Sequence, residues 1–435
     1  MAESTTYRGE IRAPGAASAA ASVSLEADGF RVMTAGGPAW GAAYRDVTTL
    51  VLDAGTILIE LGTGTTAERW LLERFGPGLA AVARGLRDGR MRQWLGDGLV
   101  ELDHDEPIEL VEVTDGPLAG VAQLRYHRRG VALAPLDERR PRLRIRRADI
   151  GSVEADPVGG RLRVRGPAGP LAGDVETVEL RGLGQSTTAH AAHWTDLRDA
   201  AAADQAASIA SLIPDASFSA RRQAEAVLRE GIPADPGELG EAWPLLERAA
   251  LAEPTFAASY RALLSRAGGA AAKRWFATAP EAPGAPDPAR AWFLVGLPGN
   301  LLALELVSEG AHATYLFRVE PRASFDPEGA RPEALRAAVR DVSEALIDAR
   351  YLREPMALPA AQLAKPEHLR YRLALAALPS LAAARSRFVA RITHRDETSW
   401  MSALDDLIGW HASARDEAAE WPGRGAQETA IDETT

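Results

Sequence analysis

The chain has 435 residues, 46% of them hydrophobic, and its 60 acidic residues outnumber its 49 basic ones for a formal net charge of −11. The absence of cysteine excludes disulfides, thiolate nucleophiles and cysteine-ligated zinc or iron–sulfur centres. The length exceeds what one ordinary core can fill and predicts roughly two to four domains.

Lys273 and Lys365 are the only lysines, which with abundant Ala, Gly and Pro points to a GC-rich bacterial genome and places arginine on ordinary solvated surfaces as well as special ones. Residues 1–24 carry Glu3, Arg8, Glu10 and Arg12 among small residues and lack the apolar core of a signal peptide, so the expected location is the cytoplasm. The most hydrophobic stretch, 291–307, is interrupted by Pro298, Gly299, Asn300 and Glu305, which argues against a membrane span.

In chain order, two segments about a hundred residues apart follow one sequence of events. The first has a glycine-opened strand at Gly29-Phe30-Arg31-Val32-Met33, a step Asp46-Val47 and a strand Thr56-Ile57-Leu58-Ile59-Glu60-Leu61. It then reads Gly62-Thr63-Gly64-Thr65-Thr66-Ala67, with Trp70 beyond. The second has Gly130-Val131-Ala132-Leu133, a step Asp149-Ile150, a strand Val178-Glu179-Leu180, then Gly182-Leu183-Gly184, Thr187-Thr188-Ala189 and Trp194. Short strands bounded by Gly, Pro and Asp, then a closing amphipathic helix, predict a small curled sheet plugged by that helix. In the first segment Thr65 and Glu68 form a capping box, and Trp70, Phe75, Leu79, Val82 and Leu86 give a helical spacing broken at 76–78. The second copy is longer by an insertion at 157–174.

This order, met twice, resembles the bacterial pleckstrin-homology-like fold over residues 7–215. The resemblance is carried by strand order, the glycine-opened strands, the Asp46 and Asp149 steps and the closing helix. It implies two half-open antiparallel barrels, each closed by a C-terminal helix, and a binding or scaffolding module for peptides or anionic lipids. A phosphoinositide signature is missing, so that ligand class is not carried over. The expected domains are 7–97 and 98–231, pleckstrin-homology-like, then 232–415, and a disordered acidic tail at 416–435. The C-terminal domain reads as α+β: helices around Trp243 to Leu264, a proline-rich link at 279–288, a three-stranded antiparallel meander at 291–295, 301–307 and 314–319, then helices at 332–349, 366–392 and 398–412.

The main candidate site is cationic. Arg142-Leu143-Arg144-Ile145-Arg146 and Arg161-Leu162-Arg163-Val164-Arg165 alternate arginine with aliphatic residues, so each predicts a strand with one greasy and one cationic face. If the two strands lie side by side, Arg142, Arg144, Arg146, Arg161, Arg163 and Arg165 form one anion- or partner-binding surface. Residues 125–165 hold 12 arginines against 5 acids, while 395–435 hold 10 acids against 3 arginines, so the tail could screen the arginines in cis. The bland alternative is a solvated outer face.

The other candidates are weaker. Gly62-Thr63-Gly64 and Gly182-Leu183-Gly184 lack the remainder of a nucleotide-binding fingerprint and read as turns. His190, His193 and Asp196 share a helix face at metal-ligand spacing, but a repeat of three is common on helices. Asp103-His104-Asp105-Glu106 reads as a solvated linker. No Gly-x-Ser-x-Gly elbow or base–nucleophile motif appears, so no catalytic residue, metal or cofactor is expected. The function expected is non-catalytic binding or scaffolding in the bacterial cytoplasm, with a protein partner or an anionic lipid surface. The alternatives are nucleic-acid or nucleotide binding through the arginine face, disfavoured by the net charge and the lack of interleaved aromatics, and a hydrolase in the C-terminal half.

Overall fold

The computed structural model describes residues 6–35, 39–53, 55–62, 68–96, 109–114, 119–127, 129–135, 143–166, 175–280, 289–307, 313–321, 330–349, 351–365, 368, 371–372, 374–375, 378–413 and 421. The chain is α+β and divides into two compact units, Met1–Arg198 with Ala364–Ala377 and Asp199–Leu363 with Leu378–Thr435.

The first unit holds two antiparallel sheets of one design. Strands β1 (Thr6–Arg12), β2 (Ala19–Leu25), β3 (Gly29–Thr34), β4 (Trp40–Ala43), β5 (Val47–Asp53), β6 (Thr56–Leu61) and β7 (Glu68–Glu73) lie in the order β4-β3-β2-β1-β7-β6-β5, and helix α1 (Gly78–Gly96) follows. Strands β8 (Glu109–Val113), β9 (Gly120–His127), β10 (Gly130–Pro135), β11 (Leu143–Arg146), β12 (Ser152–Asp156), β13 (Arg161–Arg165) and β14 (Thr177–Arg181) repeat that order as β11-β10-β9-β8-β14-β13-β12, followed by α2 (Thr187–Leu212). In each copy the inward-facing residues and the helix make one core, with Val82 and Leu86 of α1 on Val23 and Ile59, and Trp194 and Leu197 of α2 on Leu124 and Leu180. The first sheet is strongly curved. The rings of Trp40 in β4 and Trp70 in β7 stack at 4.1 Å, although these strands are four positions apart and would be roughly 19 Å apart in a flat sheet.

The repeated sequence marks have structural causes. Gly29 and Gly130 open β3 and β10 because a Cβ there would come within 2.4 Å of the Ala42 carbonyl oxygen and 2.1 Å of that of Ile145. The steps at Asp46 and Asp149 each end a 3₁₀ turn, Tyr44–Asp46 and Arg147–Asp149, that delivers the chain from the fourth strand to the fifth.

Part of the repeat is corrected. Glu68–Glu73 is strand β7, bonded on one side to β1 and on the other to β6, so the helix expected over these residues is not formed. Thr65 itself, like Thr63 and Gly64, lies outside the described residues. Two flanking strands override the local capping signal, because strand preference is set by neighbours more than by the residue itself. The consequence is a shift of one strand: Thr56–Leu61 matches β13, and Val178 to Leu180 match β7. Strand β13 is therefore not an insertion but a regular member of the repeat. Arginine is absent from its counterpart β6 and from β4, the counterpart of β11.

The second unit centres on a five-stranded antiparallel sheet, β15 (Arg274–Pro280), β16 (Ala289–Leu297), β17 (Leu301–Val307), β18 (Ala313–Arg318) and β19 (Phe388–Thr393), in sequential order. The expected meander is its middle. Strand β15 lies between the expected helices and the proline-rich link, where no element was expected, and overlaps the start of that link; β19 replaces the end of the helix expected over 366–392. The helix there is Pro379–Arg387. Neither edge strand alternates cleanly between apolar and polar residues, and such short runs cannot be separated from helix by periodicity. Trp292 and Phe293 point to opposite faces of the sheet. Phe293 packs on Trp243, Phe256 and Tyr260 from helices Trp243–Ala250 and Pro254–Arg266. The Trp292 indole N–H donates to Ser343 of helix Pro332–Asp348 at 3.0 Å. The 416–435 segment lies outside the described residues except Trp421, which is buried in this unit's core.

Candidate partner-binding face

The two arginine runs are not neighbours in their sheet. Strand β11 forms one edge, β13 lies next to the other, and β10, β9, β8 and β14 separate them. They therefore belong to two different surfaces, and Arg142 lies outside the described residues.

The surface around β11 is largely covered. Arg144 stands across Ala132 from Arg125, and Arg146 across Gly130 from His127. Arg125, His127 and Arg146 are buried, as is Gln123 on the same face of β9. Arg146 is held bidentately by Asp149, Nε to Oδ2 at 2.7 Å and Nη2 to Oδ1 at 2.9 Å. Arg125, fully enclosed, donates Nη2 to Asp88 of α1 and to Gln123 Oε1 at 2.9 Å. The ion pair with Asp88 ties the helix of the first copy to the sheet of the second. A buried charge of this kind is tolerated only with such partners. The sequence offered one sign of this row, the period-two polar residues Gln123, Arg125 and His127, but that pattern alone reads as a solvent face.

The surface on β12, β13 and β14 is open. Arg161 and Arg165 are exposed, Arg163 is half-buried, and Leu162 and Val164 point into the core. The strand register sets acids beside these arginines. Arg163 lies between Glu154 and Glu179, Arg161 faces Asp156, and Arg181 faces Glu112. Glu179 accepts from Arg163 Nη2 at 2.7 Å and from Arg181 Nη2 at 3.0 Å. The Arg163 bond foremost, then that from Arg181, holds its carboxyl below the usual glutamate range. Asp156 is likewise lowered, first by the backbone N–H of Gly159 at 2.8 Å and next by Arg161 at 2.7 Å. Four outward arginines, 161, 163, 165 and 181, thus stand among four outward carboxylates, 112, 154, 156 and 179, a face of mixed sign and balanced charge. The mutual repulsion expected of the arginine row is relieved within the sheet.

Apolar groups adjoin this face. The described residues include five exposed large hydrophobic residues: Met33, Leu110, Val121, Val158 and Phe218. Val158 is 100% exposed at the tip of the β12–β13 hairpin, and Leu110 and Val121 are diagonal neighbours on β8 and β9 beside Glu112. Three of the five therefore sit on the second copy.

The remaining candidates have structural roles. His190 Nδ1 lies 2.5 Å from the Tyr126 hydroxyl, which also accepts from Trp194 Nε1 at 3.1 Å, and His193 packs on the same ring at 4.1 Å. These residues clasp α2 to its sheet. Gly182 and Gly184 take left-handed φ values of 79° and 53° in the turn before α2. Asp103 to Glu106 lie outside the described residues. In the second unit, buried Glu305 accepts from Thr314 and His394, and Trp400 Nε1 donates to Thr314 Oγ1 at 2.9 Å. This enclosed network joins β17, β18, the residue that follows β19 and the helix Glu397–Ser413. Among the described residues no helix is long and apolar enough to cross a membrane.

No family model matches the chain, and no curated protein matches it. Among solved structures, a chain described as "Structure of the Spt16D Pob3N heterodimer" is similar over 43% of this chain and 99% of its own length, at 13% identity and a TM-score of 0.16.

Proposed function

We propose that the chain is a non-catalytic adaptor or scaffold of the bacterial cytoplasm whose second pleckstrin-homology-like copy recognises a protein partner. The reading of both copies as pleckstrin-homology-like is supported by their strand order and following helix. One observation carries the functional reading: the open charged face and three of the exposed large apolar side chains gather on the second copy. Exposed apolar groups beside a polar rim are the composition of a protein interface. Arg161, Arg163 and Arg165 are the arginines of this surface. The carboxylates among them favour a partner of mixed charge over a lipid surface or a nucleic acid, whose phosphates would have to displace or repel those acids.

The test is site-specific photo-crosslinking in the native host, with the reactive residue at Val158 or Leu110 and, for comparison, at Met33 in the first copy. A discrete protein adduct from the second copy and none from Met33 is expected. Adducts to lipid or nucleic acid, or none from either second-copy site, overturn the reading.

A further inference from the structure

Within each sheet of the first unit the fifth strand is an edge, and the two copies treat that edge differently. In the first copy Arg90 of α1 donates Nε to the Val47 carbonyl at 2.8 Å and Nη2 to that of Thr48 at 2.5 Å, at the start of β5. Val47, Leu50 and Val51 are buried there. In the second unit the edge strand β15 is also covered, since Ala234 exchanges both backbone hydrogen bonds with Phe276 at 2.9 Å and Gly231 N–H donates to Thr278. Strand β12 has neither device. Ser152, Glu154 and Ala155 are exposed, and among the described residues no hydrogen bond reaches its open side. An open, exposed edge offers a row of unpaired backbone donors and acceptors to another strand.

The side chains select the occupant. On the outer face β12 presents Glu154 and Asp156, and on the other face half-buried Val153 and exposed Ala155. A second copy of this chain is a poor fit. Antiparallel pairing of β12 with itself centred on Glu154 sets Glu154 against Glu154, and centring on Ala155 sets Glu154 against Asp156, and like charges directly opposite are destabilising; centring on Val153 avoids the clash but sets Glu154 against Ser152 and gives neither carboxylate a counter-charge. A strand that alternates basic with small apolar residues satisfies both faces. We propose that β12 accepts, as an eighth strand, an extended segment of another protein in which basic and small apolar residues alternate. The proposal rests on the protein-binding reading above and names the partner's chemistry.

The probe is a fluorescent hexapeptide alternating arginine and valine, titrated into the full-length protein, with hydrogen exchange of amides 152–156 as the local readout. Controls are a block peptide of the same composition, an alternating glutamate–valine peptide and an Arg–Val peptide with N-methylated backbone. The alternating basic peptide is expected to bind saturably and slow exchange at 152–156. Glu154→Lys, on the exposed face, should weaken it roughly fivefold or more. The N-methylated and glutamate peptides should not bind. Equal binding of the block or N-methylated peptide, which charge attraction alone would give, overturns the proposal, as does unchanged exchange at 152–156. If the peptide fails while crosslinks from Val158 or Leu110 persist, only the strand-addition proposal falls.

Discussion

In the first copy Arg90 reaches from the closing helix to the carbonyls that begin β5, while in the second copy no described residue bonds to the open edge of β12, the matching strand, which carries Glu154 and Asp156 outward. The same strand order and the same glycine and aspartate marks thus support one copy whose helix caps the start of its edge strand and one that presents charge there. Strand β13 has arginine at every outward position where β6, its counterpart, has Thr56, Leu58 and Glu60. A duplicated backbone keeps what its close approaches require, such as Gly29 and Gly130, and is free elsewhere. The difference between the copies is therefore a better pointer to function than arginine abundance, which the near-absence of lysine already discounts.

The comparison can be broken first at the link between the copies. Asp88→Ala removes the carboxylate facing enclosed Arg125 and should cost roughly 3–5 kcal/mol, the range for stranding one partner of a buried pair. Chemical denaturation should show Asp88→Ala combined with Arg125→Leu recovering part of that loss, since the stranded guanidinium is then gone while buried Gln123 loses one donor. The equivalence of the repeats is tested next. Gly29→Ala and Gly130→Ala each drive a Cβ into a backbone carbonyl, and each should cost about 1–3 kcal/mol. Markedly unequal losses in thermal unfolding would show that the two corners are not alike.

A smaller effect is expected at the sealed edge. Arg90→Leu should cost about 1–2 kcal/mol from two lost hydrogen bonds, and should raise hydrogen exchange in β5 toward that of β12. The smallest concerns acid. Glu179 has its folded pKa depressed below the ordinary 4.5 by Arg163 and Arg181. Its contribution is full above that value and is lost as pH falls below it through the folded pKa. Acid titration of unfolding should therefore show a component that Glu179→Gln abolishes.

Much of the fold was legible before any coordinates. Period two in Arg161 to Arg165 assigned Leu162 and Val164 inward, and the repeated glycine and aspartate steps marked the duplication. Thr65 misled because a capping pattern is a local signal, whereas β7 is made by its pairing with β1 and β6, the first of which lies more than fifty residues earlier in the chain. Strands β15 and β19 were missed because β15 is buried on both faces and neither sequence alternates cleanly between apolar and polar residues.

By itself the sequence determined which residues share a face of each strand, where a Cβ has no room and that arginine is concentrated in the second copy. Alternation follows from the pleat, and glycine from sterics, so both are written locally. Only the tertiary structure decided that β11 and β13 are not neighbours in their sheet, that Asp88 meets Arg125, that Glu179 sits between two guanidiniums and that, among the described residues, the edge of β12 is left open where Arg90 caps the start of β5. Those outcomes depend on which strands pair across long stretches of chain and on what covers each face, and a pattern of period two specifies neither.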